Sequence, residues 1–566
     1  FRPRRVMKSA LSLKLALVLA AQIAHGRLGT QPTAATAIRP HTAASDLRDA
    51  SKRILIMTTA SVPWLTGTAI NPLLRAAHLT AGRPDGAVTL YLPWLEPERQ
   101  HEVYKDIRFE TRGDQARYVA AWVRDTAGMA EAAGKLRIAF YDAHYHTPQG
   151  SIYPMGRTVE ALPRADFRRY DGGGGAEAGA WAPDVVVLEE PEHLNWYSFV
   201  DGDASAWRSQ GHVVGVVHTH YVSYAATERA CGGLLGELVH PVVGPFKAMM
   251  ALLMSRWMTN GHCHRVVKLS NTLPRVGNDD AEVVCNVHGV RGAFLDVGEG
   301  RKVRQPFLSG GALPAAASNP WAETEARGTA GTEGAYFIGK LIWQKGLDDL
   351  GRLLAHTARE FGGTLPGGPV HVVGDGLHRH DVARSFAKRK LPAVFHGRRD
   401  HAEPLCQDFR VLVNPSKTEV LCTTIAEALA MGKWVVIRKH PSNEFFYDFP
   451  TCLPFETKAE FATHYAFALR HEPPPLSDRM RRRLSWAAAT DRFCDAAAMP
   501  ETPLRRHQRL AEYLHCHMGK GRRGDWIRSI AGAGFTVGRQ SKYVRERQGG
   551  GDAPPAAADA PVEVAV

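Results

Sequence analysis

The sequence predicts an α/β protein of two facing, doubly wound Rossmann-like domains, and three observations carry that prediction. Short β-branched apolar runs alternate with longer amphipathic stretches, the pattern of parallel strands covered by helices. The pattern occurs twice, on either side of GGALPAAASNPWAETEARGTAGTEG at 310–334, a stretch too poor in large apolar side chains to form a core. A chain of 566 residues with 44% hydrophobic content and 12 Trp is also long enough and apolar enough to fill two cores.

In the first half, strands are predicted at Arg53–Thr58, Val88–Leu92, Leu136–Tyr141, Val185–Leu188, Val213–His218, Val266–Leu269 and Val283–Val287. Most of these runs lack alternation, as expected of strands covered on both faces. In the second half they fall at Ala335–Ile338, His371–Val373, Ala393–His396, Val411–Asn414 and Val435–Ile437. The domain plan that follows has a targeting or disordered segment at 1–50, a first Rossmann-like domain at 51–309 and a linker at 310–334. A second, C-terminal Rossmann-like domain, the one expected to bind a nucleotide ligand, takes 335–475, helices at 476–518 return towards the first domain, and a basic, then Pro/Ala-rich disordered tail occupies 519–566. Four glycines at Gly172–Gly175 read as a surface insertion in the first domain.

The net charge is +13, but it is concentrated at the ends. Seven Lys or Arg and no acid lie in 1–45, eight Lys or Arg and two acids in 520–547, and three acids in 548–566, so residues 46–519 keep only +3. A nearly neutral body argues against a nucleic-acid-binding core and for basic ends that meet an anionic membrane surface. The acid-free start with Arg2, Arg4, Arg5 and Lys8 and the apolar run Leu11–Ala24 fit an organelle transit peptide, and also resemble a secretory leader. No later stretch reaches the 18 or so apolar residues of a membrane span.

Eight cysteines without a CxxC pair read as reduced, buried thiols. His262-Cys263-His264 and His515-Cys516-His517 are immediate neighbours that do not converge easily on one ion, and no metal is expected. Asp201-Gly202-Asp203 has the DxD spacing of a metal site but sits in a polar stretch with no strand leading into it, and is read as a surface turn.

Two such domains make a cleft at the carboxyl ends of their strands, where ligands of open α/β sheets bind. No GxGxxG follows the first strand and no P-loop is present, so a dehydrogenase or P-loop enzyme lacks its fingerprint. The first strand instead leads into TTASVPWLTGTAINPL, where Gly67 between two threonines either brings backbone amides to a phosphate or makes a plain strand-to-helix turn. In the second domain, seven residues separate Glu419 from Glu427 in NPSKTEVLCTTIAEALAMG, with the amides of Leu421, Cys422 and Thr423 at the mouth of the following helix. Two carboxylates there can grip sugar hydroxyls while the amides take a diphosphate. Thr424 with Glu427 equally fits a helix capping box. GKLIWQKG puts Lys340 and Lys345 after the Ala335–Ile338 strand, where they can neutralise a dianionic leaving group. VVGDGL presents Gly374 and Gly376 for close approach of a flat base, and FHGRRDH follows one strand later.

GK…KG, the GxG after a strand and the paired glutamates resemble the donor half of the large retaining glycosyltransferase family typified by sucrose and glycogen synthases. Longer strings narrow the resemblance. TTASVPWLTGTAINPL, PDVVVLEEPEHLNWY, VVGVVHTHY, VVCNVHGV, AYFIGKLIWQKG, VLCTTIAEALAMGK and HPSNEFF are similar to the plastid digalactosyldiacylglycerol synthases over roughly 52–492. That resemblance implies a GT-B architecture, UDP-galactose as donor, monogalactosyldiacylglycerol as acceptor, no metal cofactor, and a peripheral place on the chloroplast envelope, on its outer membrane. It also implies that Glu427 holds the ribose, Glu419 lies near the hexose, Lys340 and Lys345 neutralise the diphosphate, and His218 of VVHTHY reaches the donor sugar. Gly67 would let the first loop approach the phosphates, and of Glu189, Glu190, Glu192 and His193, which end a strand at the cleft, one carboxylate would grip the acceptor galactose, a solvated acidic loop being the competing reading. The rival readings are a UDP- or ADP-sugar transferase with another acceptor, and a noncatalytic envelope protein on the same fold.

Overall fold

The structure is a computed structural model and describes residues 45–104, 107–146, 150–154, 183–196, 207–208, 210–223, 233–276, 281–304, 334–498 and 508–513. The DGD of Asp201 to Asp203, the Gly172–Gly175 run, the basic ends and nearly all of the 310–334 stretch lie outside the described residues.

The first sheet comprises β1 (Ile54–Met57), β2 (Val88–Leu95), β3 (Arg137–His146), β4 (Ser151–Pro154), β5 (Val185–Glu189), β6 (His212–Val217), β7 (Arg265–Lys268) and β8 (Glu282–Val284). Their order is β4-β3-β2-β1-β5-β6-β7-β8, parallel except for the β3–β4 pair. The second sheet comprises β9 (Ala335–Ile338), β10 (Val370–Val373), β11 (Ala393–Gly397), β12 (Val411–Asn414), β13 (Trp434–Arg438) and β14 (Cys452–Phe455), in the order β11-β10-β9-β12-β13-β14 and parallel throughout. Both are doubly wound. The order reverses between β1 and β5 in one sheet and between β9 and β12 in the other, and each reversal opens a crevice at the strand ends.

Burial on both faces explains the continuous apolar strands: Val185, Val186, Val187 and Leu188 of β5 are all fully buried. Two strands absent from the sequence-based expectation, β4 and β14, are edge strands, and each contains a proline, Pro154 and Pro454. Proline lacks an N–H for the ladder and is tolerated at an edge, which is also why such segments do not read as strands.

Numbering only the helices that shape the site, α1 is Gly67–Leu79, α2 Pro191–Leu194, α3 Gly233–Asn260, α4 Gly292–Arg304, α5 Leu347–Glu360, α6 Thr423–Ala430, α7 Lys458–Arg470, α8 Asp478–Leu484 and α9 Trp486–Ala497. Helix α5 shows how they form. Leu347, Leu350, Leu353 and Leu354 make the buried stripe, while Asp348 and Asp349 in the first turn complement the positive helix end. No helix among the described residues is long and apolar enough to cross a membrane.

The chain crosses from the first sheet to the second at 286–291, before the 310–334 stretch expected to make the crossing. Phe294 of α4 belongs to the core under the second sheet, and a side chain at Gly298 would strike the Ala430 carbonyl of α6. The return crossing runs beside the outward one, with Val290 N–H donating to Leu484 O at 2.9 Å and a parallel bridge between Val290 and Ser485. Helix α9 then lies on the first sheet, adding Trp486, Phe493 and Cys494 to its core.

Candidate functional site

In the second domain the predicted residues converge where β9 and β12 end. The β9 end continues as Gly339-Lys340, and a short 3-10 turn, Trp343–Lys345, carries Lys345 towards the loop that follows β12. Lys345 Nζ donates to Glu419 Oε1 at 2.7 Å, and Thr418 Oγ1 donates to Gln344 O at 2.8 Å, so the two loops are tied together. Lys340, the second residue after β9, reaches water. Burial lowers its pKa below 10.5, and the positive charges of Lys345 and Arg398 lower it further. Three cations at the mouth of one crevice are a poised anion site. Arg398 was not singled out from the sequence, although it lies in the FHGRRDH string.

Cys422 is the N-cap of α6, followed by Thr423 as the first helical residue, and no side chain caps this end. Asn414 Nδ2 donates to Cys422 Sγ at 3.1 Å, and burial, then the charge of Glu419, pushes the thiol pKa up to about 12. The thiol is thus a neutral packing group, and the open N–H groups of α6 remain available to an anion.

Glu427 does not form the capping box with Thr424. It accepts a hydrogen bond from His401 Nδ1 at 2.7 Å, and His401 Nε2 lies 2.6 Å from the Tyr336 hydroxyl. His401 is buried, so this chain fixes Glu427 from behind. The sequence signal was present, since His401 closes FHGRRDH, but nothing local linked it to a glutamate 26 residues on.

Gly374 and Gly376 have a structural explanation different from the open face for a base expected of them. Gly374 has φ +134°, and a Cβ there would lie 1.9 Å from Gly339 O; one at Gly376 would lie 2.8 Å from Leu341 N and O. Both let the β10 loop pack on the β9 loop, with Leu341 N–H donating to Asp375 O at 3.0 Å. Their effect is to hold the backbone that carries Lys340.

In the first domain, Gly67 is the first residue of α1 after the β1 loop, and a Cβ there would make only an ordinary 3.4 Å contact with Asn71. His218 follows β6. Its Nε2 donates to Glu189 Oε2, while Arg75 Nε donates to Glu189 Oε1 at 2.7 Å, and the Arg75 and Glu189 side chains are wholly buried. Burial alone would push Glu189 up, but Arg75 and His218 bring its carboxyl below the usual range.

The neighbouring glutamates have different surroundings. Glu190 has left-handed backbone, φ 69°, uncommon for a residue with a side chain. Its carboxylate accepts from Thr59 Oγ1 at 2.7 Å, from Thr219 Oγ1, and from the Tyr221 hydroxyl at 3.3 Å. Glu192 is buried, its Oε2 has no partner among the described residues, and burial, with the charge of Glu190 adding, pushes its pKa up to about 8. His193 stacks on Tyr153 with ring centroids 4.3 Å apart and is within 2.9 Å of the Tyr221 hydroxyl.

The two strand-end crevices meet. Val420, next to Glu419, is buried in the first domain's core cluster and Leu421 packs against it. Asn271, after β7, donates to Glu444 at 2.7 Å, and Arg483 and Arg492 lie over the Phe445 ring at 4.6 and 5.3 Å. The HPSNEFF string therefore serves the contact between domains.

Two doubly wound sheets facing across a cleft, with cations and paired glutamates at the strand ends, define the GT-B fold class. Residues 333–466 match the family described as "Glycosyl transferases group 1". Digalactosyldiacylglycerol synthase 2, chloroplastic, of Glycine max is 33% identical over 501 residues, covering 87% of this chain and 94% of that protein. The Arabidopsis thaliana synthase 2 is 35% identical over 444 residues, 78% of this chain and 80% of that protein. Synthase 1 of Glycine max is 36% identical over 455 residues, 80% of this chain, but the chain spans only half of that longer protein, 50%. The structure of Anabaena Alr3699/HepE with UDP and glucose aligns with 78% of this chain and 98% of its own at 11% identity, TM-score 0.45. The chain belongs to the digalactosyldiacylglycerol synthase family.

Proposed function

We propose that this protein transfers galactose from UDP-galactose to monogalactosyldiacylglycerol with retention, releasing UDP and forming digalactosyldiacylglycerol at the chloroplast envelope. The observation that carries the reading is the Lys345–Glu419 pair beside Lys340 and Arg398, in a chain that matches a synthase along 94% of that protein's length. In this reading the lysines and the α6 mouth take the diphosphate, Glu427 takes the ribose hydroxyls, and Glu419 and His218 address the hexose. Glu190, held only by hydroxyl groups among the described residues, is the carboxylate suited to an acceptor hydroxyl.

Retention ordinarily invites a carboxylate nucleophile. Here the acceptor oxygen attacks C1 from the leaving-group side, the C1–O bond to UDP breaks, and a departing phosphate oxygen takes the acceptor proton. Positioning and charge stabilisation then carry the catalysis. The cations substitute for a divalent ion, so no metal is required. The acceptor stays in the bilayer, since exposing each CH₂ costs about 0.8 kcal/mol, and the enzyme works at the anionic surface of the outer envelope membrane.

The test is to give purified protein labelled UDP-galactose and monogalactosyldiacylglycerol, with and without excess chelator, and to identify the product and its linkage. Digalactolipid with an α-linked outer sugar is expected in both arms. Transfer from UDP-glucose only, or to a soluble acceptor only, would replace the substrate assignment. Inhibition reversed by Mg²⁺ or Mn²⁺ would restore Asp201 and Asp203 as a metal site.

A further inference from the structure

We propose that Arg75 and Glu189 are positioning residues that hold His218 in one tautomer and one orientation, and that helix α9 clamps this relay from the interdomain crossing. The inference rests on the reading of His218 as a residue that addresses the donor sugar.

A wholly buried Arg–Glu pair is weak evidence for stability, because desolvation offsets most of the Coulomb gain. The informative feature is the second oxygen of Glu189. With Arg75 on Oε1 the carboxyl is ionised and can only accept, so the hydrogen on the imidazole must sit on Nε2. In its neutral form the ring then keeps Nδ1 as an acceptor, the polarity that suits a sugar hydroxyl. The same logic fixes the tautomer of metal-ligating histidines through a carboxylate behind the ring.

The surroundings make the arrangement rigid. Arg75 Nη1 donates to Val287 O at 3.0 Å, and the guanidinium lies 4.4 Å from the Phe493 ring and 5.9 Å from that of Trp486, both on α9. His288, one residue after Val287, has its ring 5.1 Å from that of His218, with no hydrogen-bond partner on either nitrogen among the described residues. Burial above all holds His288 well below 6.5, so it forms a neutral wall. Gly289 is packed against Trp486, where a Cβ would come within 2.5 Å of its backbone. The outward crossing and the return helix thus both abut the relay. A change in how the domains sit would be felt at His218 through Arg75.

The experiment uses the full chain. Glu189→Gln, His218→Ala, their combination, and the apolar pair Arg75→Met with Glu189→Leu are compared in steady-state transfer from UDP-galactose to galactolipid. Glu189→Gln should lower kcat by about tenfold or more with KM for the donor changed by less than about twofold, the scale of losing an orienting partner. In the His218→Ala background it should change kcat by less than about twofold, because coupled residues are not additive. Glu189→Gln leaves Arg75 buried and unpaired, so that variant alone does not separate misfolding from loss of the relay. The apolar pair removes both charges, should keep the thermal midpoint, and should show the same loss of kcat. Retained kcat in the apolar pair, or equal losses with and without His218, overturns the proposal. If the wild type transfers no sugar to galactolipid, the functional reading fails instead. The relay is then judged by ¹⁵N-imidazole spectra, in which the His218 signal, assigned by His218→Ala, must report the Nε2–H tautomer in wild type and lose it in the apolar pair.

Discussion

Glu192→Gln isolates the most costly buried acid among the described residues, just beyond the carboxyl end of β5. Glu192 is 3% exposed on α2, with one carboxyl oxygen unpartnered and a pKa pushed from 4.5 to about 8 by burial. The folded state therefore keeps a proton that the unfolded chain releases above 4.5, so stability is full at low pH and is lost as pH rises towards about 8. A shift of that size corresponds to an upper bound of about 5 kcal/mol, at 1.36 kcal/mol per unit. Glutamine keeps the shape and cannot ionise, so the variant should be free of this one contribution across the window. Thermal melts of both proteins between about pH 5 and about pH 9 should converge at the acid end and separate by several degrees at the alkaline end, with the variant higher. Parallel curves throughout would refute the reasoning, because they would mean that Glu192 titrates near its ordinary value.

Lys345→Ala should weaken UDP binding by about ten- to a hundredfold, the worth of a charge-assisted contact, and should also release Glu419; unchanged UDP affinity by calorimetry would remove Lys345 from the diphosphate site. Glu427→Gln should leave the thermal midpoint nearly unchanged, because His401 can still donate to the amide oxygen, while UDP affinity and turnover fall by about tenfold or more; full activity would end the ribose assignment. Truncation after Gly519 should remove salt-sensitive binding to anionic vesicles in a sedimentation series, since each Lys or Arg near such a surface contributes about 1 kcal/mol. Equal binding with equal salt dependence would move the anchor to the first-domain surface.

The interior strands were legible because a strand buried on both faces must be a continuous apolar run, and the crevice residues because a strand's carboxyl end is where a doubly wound sheet exposes side chains. Lys345 and Glu419 lie 74 residues apart, yet each follows such a strand, so their convergence follows from the topology. Glu427 was not decidable from its neighbours. A glutamate three residues after a threonine fits a capping box whether or not another strand delivers a histidine to it, and only the reach of the FHGRRDH loop back over Tyr336 of β9 selects His401.

The EEPEH segment shows where local pattern stops carrying information. Three glutamates within four positions differ in environment because of what distant elements bring to each. Glu189 meets Arg75 from 114 residues upstream and His218 from 29 downstream, and is ionised in the core. Glu190 turns through left-handed backbone to hydroxyls that include Thr59, 131 residues upstream. Glu192, one short turn later, meets no such partner for its second oxygen and is held protonated by burial. Charge state here depends on partners, and the partners depend on the order β1-β5-β6 at the reversal of the first sheet. The difference between a carboxylate held by Arg75 and His218, one held by hydroxyl groups and a neutral acid is thus set by sheet topology acting on one short acidic segment.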